Sequence, residues 1–143
     1  QSWLQDSRLA LFSIAIMYIW QTLGMEMLII LGGLQYIPLE VYEAADLDGC
    51  SGVQRFVRIT VPLLKNTMVY VMLSVTINTL KLFTQVYMLT NGGPKNATTS
   101  VIYQLYKVGF MNNQQGFSSA IAVVFFVIVL GISLLQNYLM RDK

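Results

Sequence analysis

Three features of the sequence predict an all-α integral membrane bundle. Three stretches are apolar and long enough to cross a bilayer, and the polar segment between the first two carries most of the helical start and stop signals. Charged residues make up only 11% of the 143 residues, where a soluble domain carries about 25%. Apolar residues reach 55% and the mean hydropathy is +0.58. A core of this size cannot hide that much apolar surface, so lipid is the solvent that accepts it.

The first span covers residues 9–34. Between Arg8 and Glu40 the only charge is Glu26, and about twenty residues at 1.5 Å each reach the roughly 30 Å of a hydrocarbon core. The second covers residues 67–89, with Lys81 as the sole charge between Lys65 and Lys95; Asn91-Gly92-Gly93-Pro94 then stops it with a strong turn signal. The third covers residues 117–139. No charge lies between Lys107 and Arg141, and the run IAVVFFVIVLGISLL sits at its centre.

Two polar segments separate the spans. Residues 38–62 carry Glu40, Glu43, Asp46, Asp48, Arg55 and Arg58. Pro38 suits a first helical position and Glu40 and Glu43 complement the macrodipole, so a short helix runs from Leu39 to Asp48. Gly49 follows where a left-handed residue is expected, and Ser51 caps a second helix through Gln54, Phe56 and Arg58 towards Pro62. This segment is either a knob for a partner's groove or an ordinary solvated loop. In the other segment, residues 91–116, Ile102, Leu105, Tyr106 and Phe110 recur at helical spacing. Val101 to Met111 is about 16 Å long, too short to span, and lies at the interface or dips into the protein. Lys and Arg near the span ends favour the side holding Arg55, Arg58, Lys65, Arg141 and Lys143 over the side holding Arg8, Lys95 and Lys107. The 38–62 loop is therefore expected in the cytoplasm.

Composition excludes several chemistries. There is no His and Cys50 is the single cysteine, which removes Ser-His-Asp and Cys-His nucleophile pairs, His-ligated metals and an intrachain disulfide. No Gly is followed by Lys, so a phosphate-binding Gly-Lys loop is absent, and a net charge of +2 without a basic cluster leaves no footprint for nucleic acid. ATP, if used, is hydrolysed by another chain. No cofactor is called for. No basic region precedes the first span, and the sequence reads as the C-terminal part of a longer protein.

Glu43-Ala44-Ala45, three residues, Gly49, nine residues, Ile59, one residue and Val61-Pro62 resemble the EAA motif of the membrane subunits of binding-protein-dependent ABC importers. Val61 replaces the usual Leu, and Cys50 stands where Ala is common. Trp3-Leu4, Trp20, Gly33-Leu34-Gln35, Ile37-Pro38, Leu89-Thr90-Asn91-Gly92-Gly93-Pro94 and Phe117-Ser118-Ser119-Ala120 are similar to the carbohydrate branch, with its maltose-type and glycerol-phosphate-type permeases. The resemblance implies a multi-pass permease of the bacterial inner membrane, without bond chemistry of its own. It also implies cytoplasmic ATPase subunits, a second permease subunit and an extracytoplasmic binding protein as partners, and a sugar as cargo. Glycerol phosphate is the alternative cargo, and a passive channel or membrane scaffold the alternative class. Carried over by position, Glu43, Ala44, Ala45, Asp48 and Gly49 form the contact with the ATPase.

Polar residues inside the spans are the remaining site candidates. Ser74, Asn78, Lys81 and Gln85 are spaced by four, three and four, which places them on one face of a continuous helix. That face either lines a substrate pathway or hydrogen-bonds neighbouring spans. Glu26 and Lys81 sit at comparable depths, about 18 Å and 24 Å along their helices from Pro38 and Lys65. They either pair, or Glu26 is protonated or faces water alone. In the third span, Gly116 with Ala120 and Ser118 with Ala122 have a spacing that permits close helix packing. Gly49→Leu is expected to abolish ATPase docking or coupling while leaving membrane insertion intact. Copurification and transport assays check this, and survival of both refutes the assignment of the loop.

Overall fold

Asp6 opens the first long helix by taking up its free donors. Its carbonyl accepts from the Leu9 and Ala10 N–H groups, and its Oδ1 accepts from the Arg8 N–H at 2.8 Å. The computed structural model describes residues 3–140; Arg141 and Lys143, counted in the charge bias, lie outside them. α1 runs Ser7–Gln35 without interruption. α2 (Leu39–Leu47), α3 (Gly52–Arg55) and α4 (Val61–Leu63) form the polar segment, with a π turn at Phe56–Thr60 joining the last two. α5 (Lys65–Leu80) and α6 (Thr84–Leu89) share the second apolar stretch. α7 (Val101–Tyr106) continues into a π turn at Lys107–Met111, and α8 is Gln115–Met140.

Three segments, Ser7–Gln35, Lys65–Leu89 and Gln115–Met140, are long and apolar enough to cross a membrane. Their number is the one expected, and they make the fold an all-α membrane bundle. Their surfaces carry exposed Phe12, Trp20, Val123 and Phe126, a distribution suited to hydrocarbon rather than water. The second stretch differs from expectation. It is not one helix: α5 ends at Leu80, where the Leu82 N–H turns back to the Thr79 carbonyl at 3.2 Å, and α6 starts again at Thr84. No Pro or Gly marks the break. What holds it is tertiary packing of α6, described next.

The chain divides into two compact units, Gln1–Thr22 with Leu73–Lys143, and Leu23–Met72. In the first, Ile14 of α1, Val86 of α6 and Tyr103 of α7 form the core, with Leu82, Phe83, Tyr87 and Leu89 packed against it. Phe83 stacks on Tyr87 at 5.4 Å between ring centroids and meets Tyr106 edge-on at 5.2 Å; Tyr106 also touches Tyr87 and Phe110. The neighbouring Tyr87 hydroxyl raises the Tyr106 phenol above its ordinary pKa. Each ring contact contributes about 0.5–1.5 kcal/mol beyond the area it buries. The turn after α6 is tied by Thr90 to Thr98 at 2.7 Å and by Thr98 to the Gly93 carbonyl at 2.7 Å, and Ser100 caps α7.

The 101–111 helix forms as expected, but its buried residues are Tyr103, Val108 and Gly109, while Phe110 is exposed. The π turn inserts an extra residue per turn and rotates the face that sequence spacing had suggested. Gly109 lets this segment approach α8: a Cβ there would lie 2.6 Å from Ser118 Oγ, which donates to the Leu105 carbonyl at 2.9 Å. Ser118 thus has the packing role its spacing suggested. Gly116 faces open space within the chain.

In the second unit the end of α1 crosses the start of α5 at Gly33. A Cβ on Gly33 would stand 2.6 Å from Thr67 Oγ1 and 3.0 Å from Leu64 Cδ2, whereas one on Gly32 would meet nothing within 4 Å. Gly33→Leu is therefore expected to wedge the crossing and cost about 1–3 kcal/mol. Gly32→Leu is expected to leave stability unchanged. Thermal unfolding in detergent checks the pair, and equal melting of the two variants would refute the close crossing.

Candidate functional site

Two polar constellations stand out in a chain that is otherwise apolar, one in each unit. The first is the helix–turn–helix between Pro38 and Leu64. Pro38 has φ −59° and ψ 139° and caps α2, one position before the first helical residue, because its extended ψ brings the chain out of Ile37. At the other end Gly49 adopts φ +71°. The Gly49 N–H donates to the Asp46 carbonyl at 3.1 Å and the Cys50 N–H to the Ala45 carbonyl at 3.0 Å. This is a Schellman closure, and its left-handed residue is favourable only for Gly. Ser51 then forms a full capping box with Gln54: Ser51 Oγ accepts from the Gln54 N–H, and Gln54 Oε1 accepts from the Ser51 N–H at 3.0 Å. Pro62 cannot donate to the Arg58 carbonyl, and the turn before it widens so that the Val61 N–H reaches the Phe56 carbonyl.

The EAA residues divide between two environments. Glu43, Ala44, Asp48 and Gly49 are exposed, as is Leu47, whereas Ala45 is buried. The smallness of Ala45 serves the seating of α2 within its own unit. Tyr42 and Asp46, one turn apart, reach the second helix. The Tyr42 hydroxyl shares a hydrogen bond with Thr60 Oγ1 at 3.2 Å, and Arg55 Nη1 donates to Asp46 Oδ1 at 2.7 Å. Glu26, on α1 in this unit, is half-buried, and its Oε2 is buried without a hydrogen-bond partner among the described residues. Lys81 belongs to the other unit.

The second constellation surrounds the break between α5 and α6. A cavity of about 310 Å³ is lined by Tyr18, Gln21 and Thr22 of α1, and by Asn78, Lys81 to Phe83, Thr84 and Gln85 around the break. Gln85 Nε2 donates to Gln21 Oε1 at 2.5 Å, and Asn78 Nδ2 to Ser74 Oγ at 3.3 Å. The four-residue stripe expected on one helix face is corrected here. Ser74 and Asn78 share α5, Lys81 sits in the break and Gln85 starts again on α6, since the helix that would align all four ends at Leu80. The break nonetheless brings Asn78, Lys81 and Gln85 to one cavity, while Ser74 stands behind Asn78. Non-helical backbone at membrane depth is tolerated where it is buried in protein or lines such a cavity. Sequence reasoning missed Tyr18, Gln21 and Thr22. Their spacing of three and one puts them on one face of α1, a signal that was available.

Chemically, the cavity offers two amides with a third across it, hydroxyls of Tyr18, Thr22 and Thr84, and one ammonium. Nearly every group both donates and accepts, apart from Lys81, which only donates. The loop offers an exposed helix end of acidic and small residues on a rigidly capped turn.

Among known proteins, the chain is 34% identical over 137 residues to the arabinooligosaccharides transport system permease protein of Bacillus subtilis, covering 95% of this chain and 44% of that protein. It is 40% identical over 136 residues to the trehalose/maltose transport system permease protein of Thermococcus litoralis, covering 93% and 45%. It is 37% identical over 143 residues to the sulfoquinovosyl glycerol transport system permease protein of Agrobacterium fabrum, covering 99% and 46%. The chain thus spans about half the length of these relatives. The family model of binding-protein-dependent transport system inner membrane components matches residues 2–143. With three spanning helices and a capped polar loop between the first two, this chain belongs to that family of inner membrane components.

Proposed function

We propose that the chain is a permease subunit of an ATP-driven importer and passes a neutral sugar or oligosaccharide across the membrane. The observation that carries this reading is the cavity at the break between α5 and α6. A polyhydroxylated cargo exchanges its hydrogen bonds with water for bonds to groups that both donate and accept, and Gln21, Asn78, Thr84 and Gln85 are of that kind. Lys81 is the one charged residue among those lining it, and a doubly charged phosphate would call for more cationic groups than this single ammonium. The relatives are named for carriage of arabinooligosaccharides, trehalose/maltose and sulfoquinovosyl glycerol; all of these contain a sugar, and the first two are uncharged.

In this reading the loop at 38–62 is cytoplasmic and meets the ATPase subunits through Glu43, Ala44, Asp48 and Gly49. Ala45 supports that surface from beneath. ATP hydrolysis belongs to those subunits, a second permease completes the pathway, and a binding protein delivers the sugar from the outer side. The acidic and small residues are exposed at the end of α2 while Asp46 is held by Arg55, so the free surface and the internal contacts do not compete.

The test is uptake of labelled oligosaccharides into proteoliposomes holding the intact importer, with ATP inside and binding protein outside. Gln85→Leu and Asn78→Leu are each expected to lower uptake about threefold to tenfold, the cost of an unmade neutral hydrogen bond, while ATPase association is kept. Wild-type uptake in both variants would refute the cavity as the path. Uptake indifferent to ATP would refute import, and preference for an anionic sugar would refute neutral cargo.

A further inference from the structure

The joint between α2 and α3 lies between two closed turns. The Schellman hydrogen bonds end α2 at Gly49 and the capping box starts α3 at Ser51, and each closes its own helix. A push on the exposed end of α2 is therefore passed on by side chains that reach from one helix to the other. Three contacts bridge the joint. Arg55 Nη1 lies 2.7 Å from Asp46 Oδ1, the Arg55 guanidinium carbon lies 5.6 Å from the Tyr42 ring centroid, and the Tyr42 hydroxyl reaches Thr60 Oγ1 at 3.2 Å.

Arg55 is the residue common to the first two. Tyr42 and Asp46 are four apart on α2 and so share one face, opposite the exposed Glu43, Ala44 and Leu47. A guanidinium can pair along its edge while its plane lies on an aromatic ring, which a lysine ammonium cannot do. Behind it Thr60 is buried, and its backbone carbonyl accepts from the Leu64 N–H at 2.9 Å. The clasp therefore runs from α2 through Arg55 and Tyr42 to the turn that leads into α5.

We propose that Arg55 is a positioning residue for energy coupling. By clasping Asp46 and Tyr42 it locks α2 to the helix that follows Gly49, so that displacement of α2 is passed to α5 instead of being lost in the turn. This rests on the reading of α2 as the segment that meets the ATPase. Arg55 itself leaves the docking surface to other residues, so its loss separates coupling from association.

The experiment uses the intact importer in proteoliposomes, carrying Arg55→Gln, Asp46→Asn or the charge-swapped pair Asp46→Arg with Arg55→Asp. Copurification of the ATPase and the rate of ATP hydrolysis are measured beside the sugar imported per ATP hydrolysed. Each single variant is expected to keep association and hydrolysis and to import about fivefold less sugar per ATP, as befits a partly exposed pair. The swapped pair is expected to return to within about twofold of wild type. An unchanged ratio in Arg55→Gln overturns the proposal, as does a swapped pair as poor as the single variants, or an Arg55→Gln permease that reaches the membrane without binding ATPase. If Arg55→Gln does not reach the membrane, Arg55→Lys keeps the charge and loses the planar edge, and the same ratio decides. Gly49→Leu is run in parallel: if it keeps both association and coupling, the reading of α2 fails, whatever the Arg55 variants do.

Discussion

Where water is absent, a polar group has to find its partner within the protein, and the rest of this structure follows from that. Three segments satisfy their backbones internally as helices, and their side chains are apolar on nearly every face. The exceptions are few and grouped. Thr22 and Ser13 return their hydroxyls to carbonyls one turn back, at 3.0 Å and 2.9 Å, and so neutralise themselves within one helix. Gln21 and Gln85 instead satisfy each other across helices. Such a cross-helix amide pair is worth about 0.6–2 kcal/mol in a membrane, and here it closes over the break between α5 and α6.

The loop between α1 and α5 obeys a different rule. It carries six charges between Glu40 and Arg58, and its stability comes from local closure rather than from a large core. A Schellman turn, a capping box and a π turn follow one another within 17 residues of Ala45. Capping interactions of this sort contribute about 1 kcal/mol each, comparable with the whole intrinsic preference of so short a helix. The outcome is a shaped polar end whose outward side chains are left unengaged. That division of labour, with Ala45 buried, Tyr42 and the exposed Asp46 turned to the segment that follows, and Glu43, Ala44 and Leu47 outward, follows from a helical period of 3.6 residues.

Much of this was legible in the sequence, because its signals are local. Span boundaries follow from charge, Gly49 from the residue type that tolerates positive φ, and Ser51 with Gln54 from the capping-box spacing. The break after Leu80 was not legible. No Pro or Gly lies there, and the rings that turn α6 aside come from residues 103–110, which spacing within the span cannot reveal. For the same reason spacing alone puts the polar stripe on one face; Gln21 is visible on its own face of α1, but its pairing with Gln85, 64 positions away, is not. Gly33 was noted only as part of a flanking string; its reason, Thr67 packed against the bare Cα, needs both helices in view. The burial of Ala45 is not legible either, because a motif records identity and not the direction in which a side chain points.

The absence of proline at the break has a consequence of its own. A bend imposed by a missing N–H is permanent, since no rearrangement of neighbours restores the donor. Residues 81–83 all keep their N–H donors, and what accompanies the break is side-chain packing of α6 on Ile14, Tyr103 and Tyr106 together with the Gln21–Gln85 amide pair. The bend is therefore set by side-chain contacts rather than by covalent structure, and those contacts shape the backbone that lines the polar cavity.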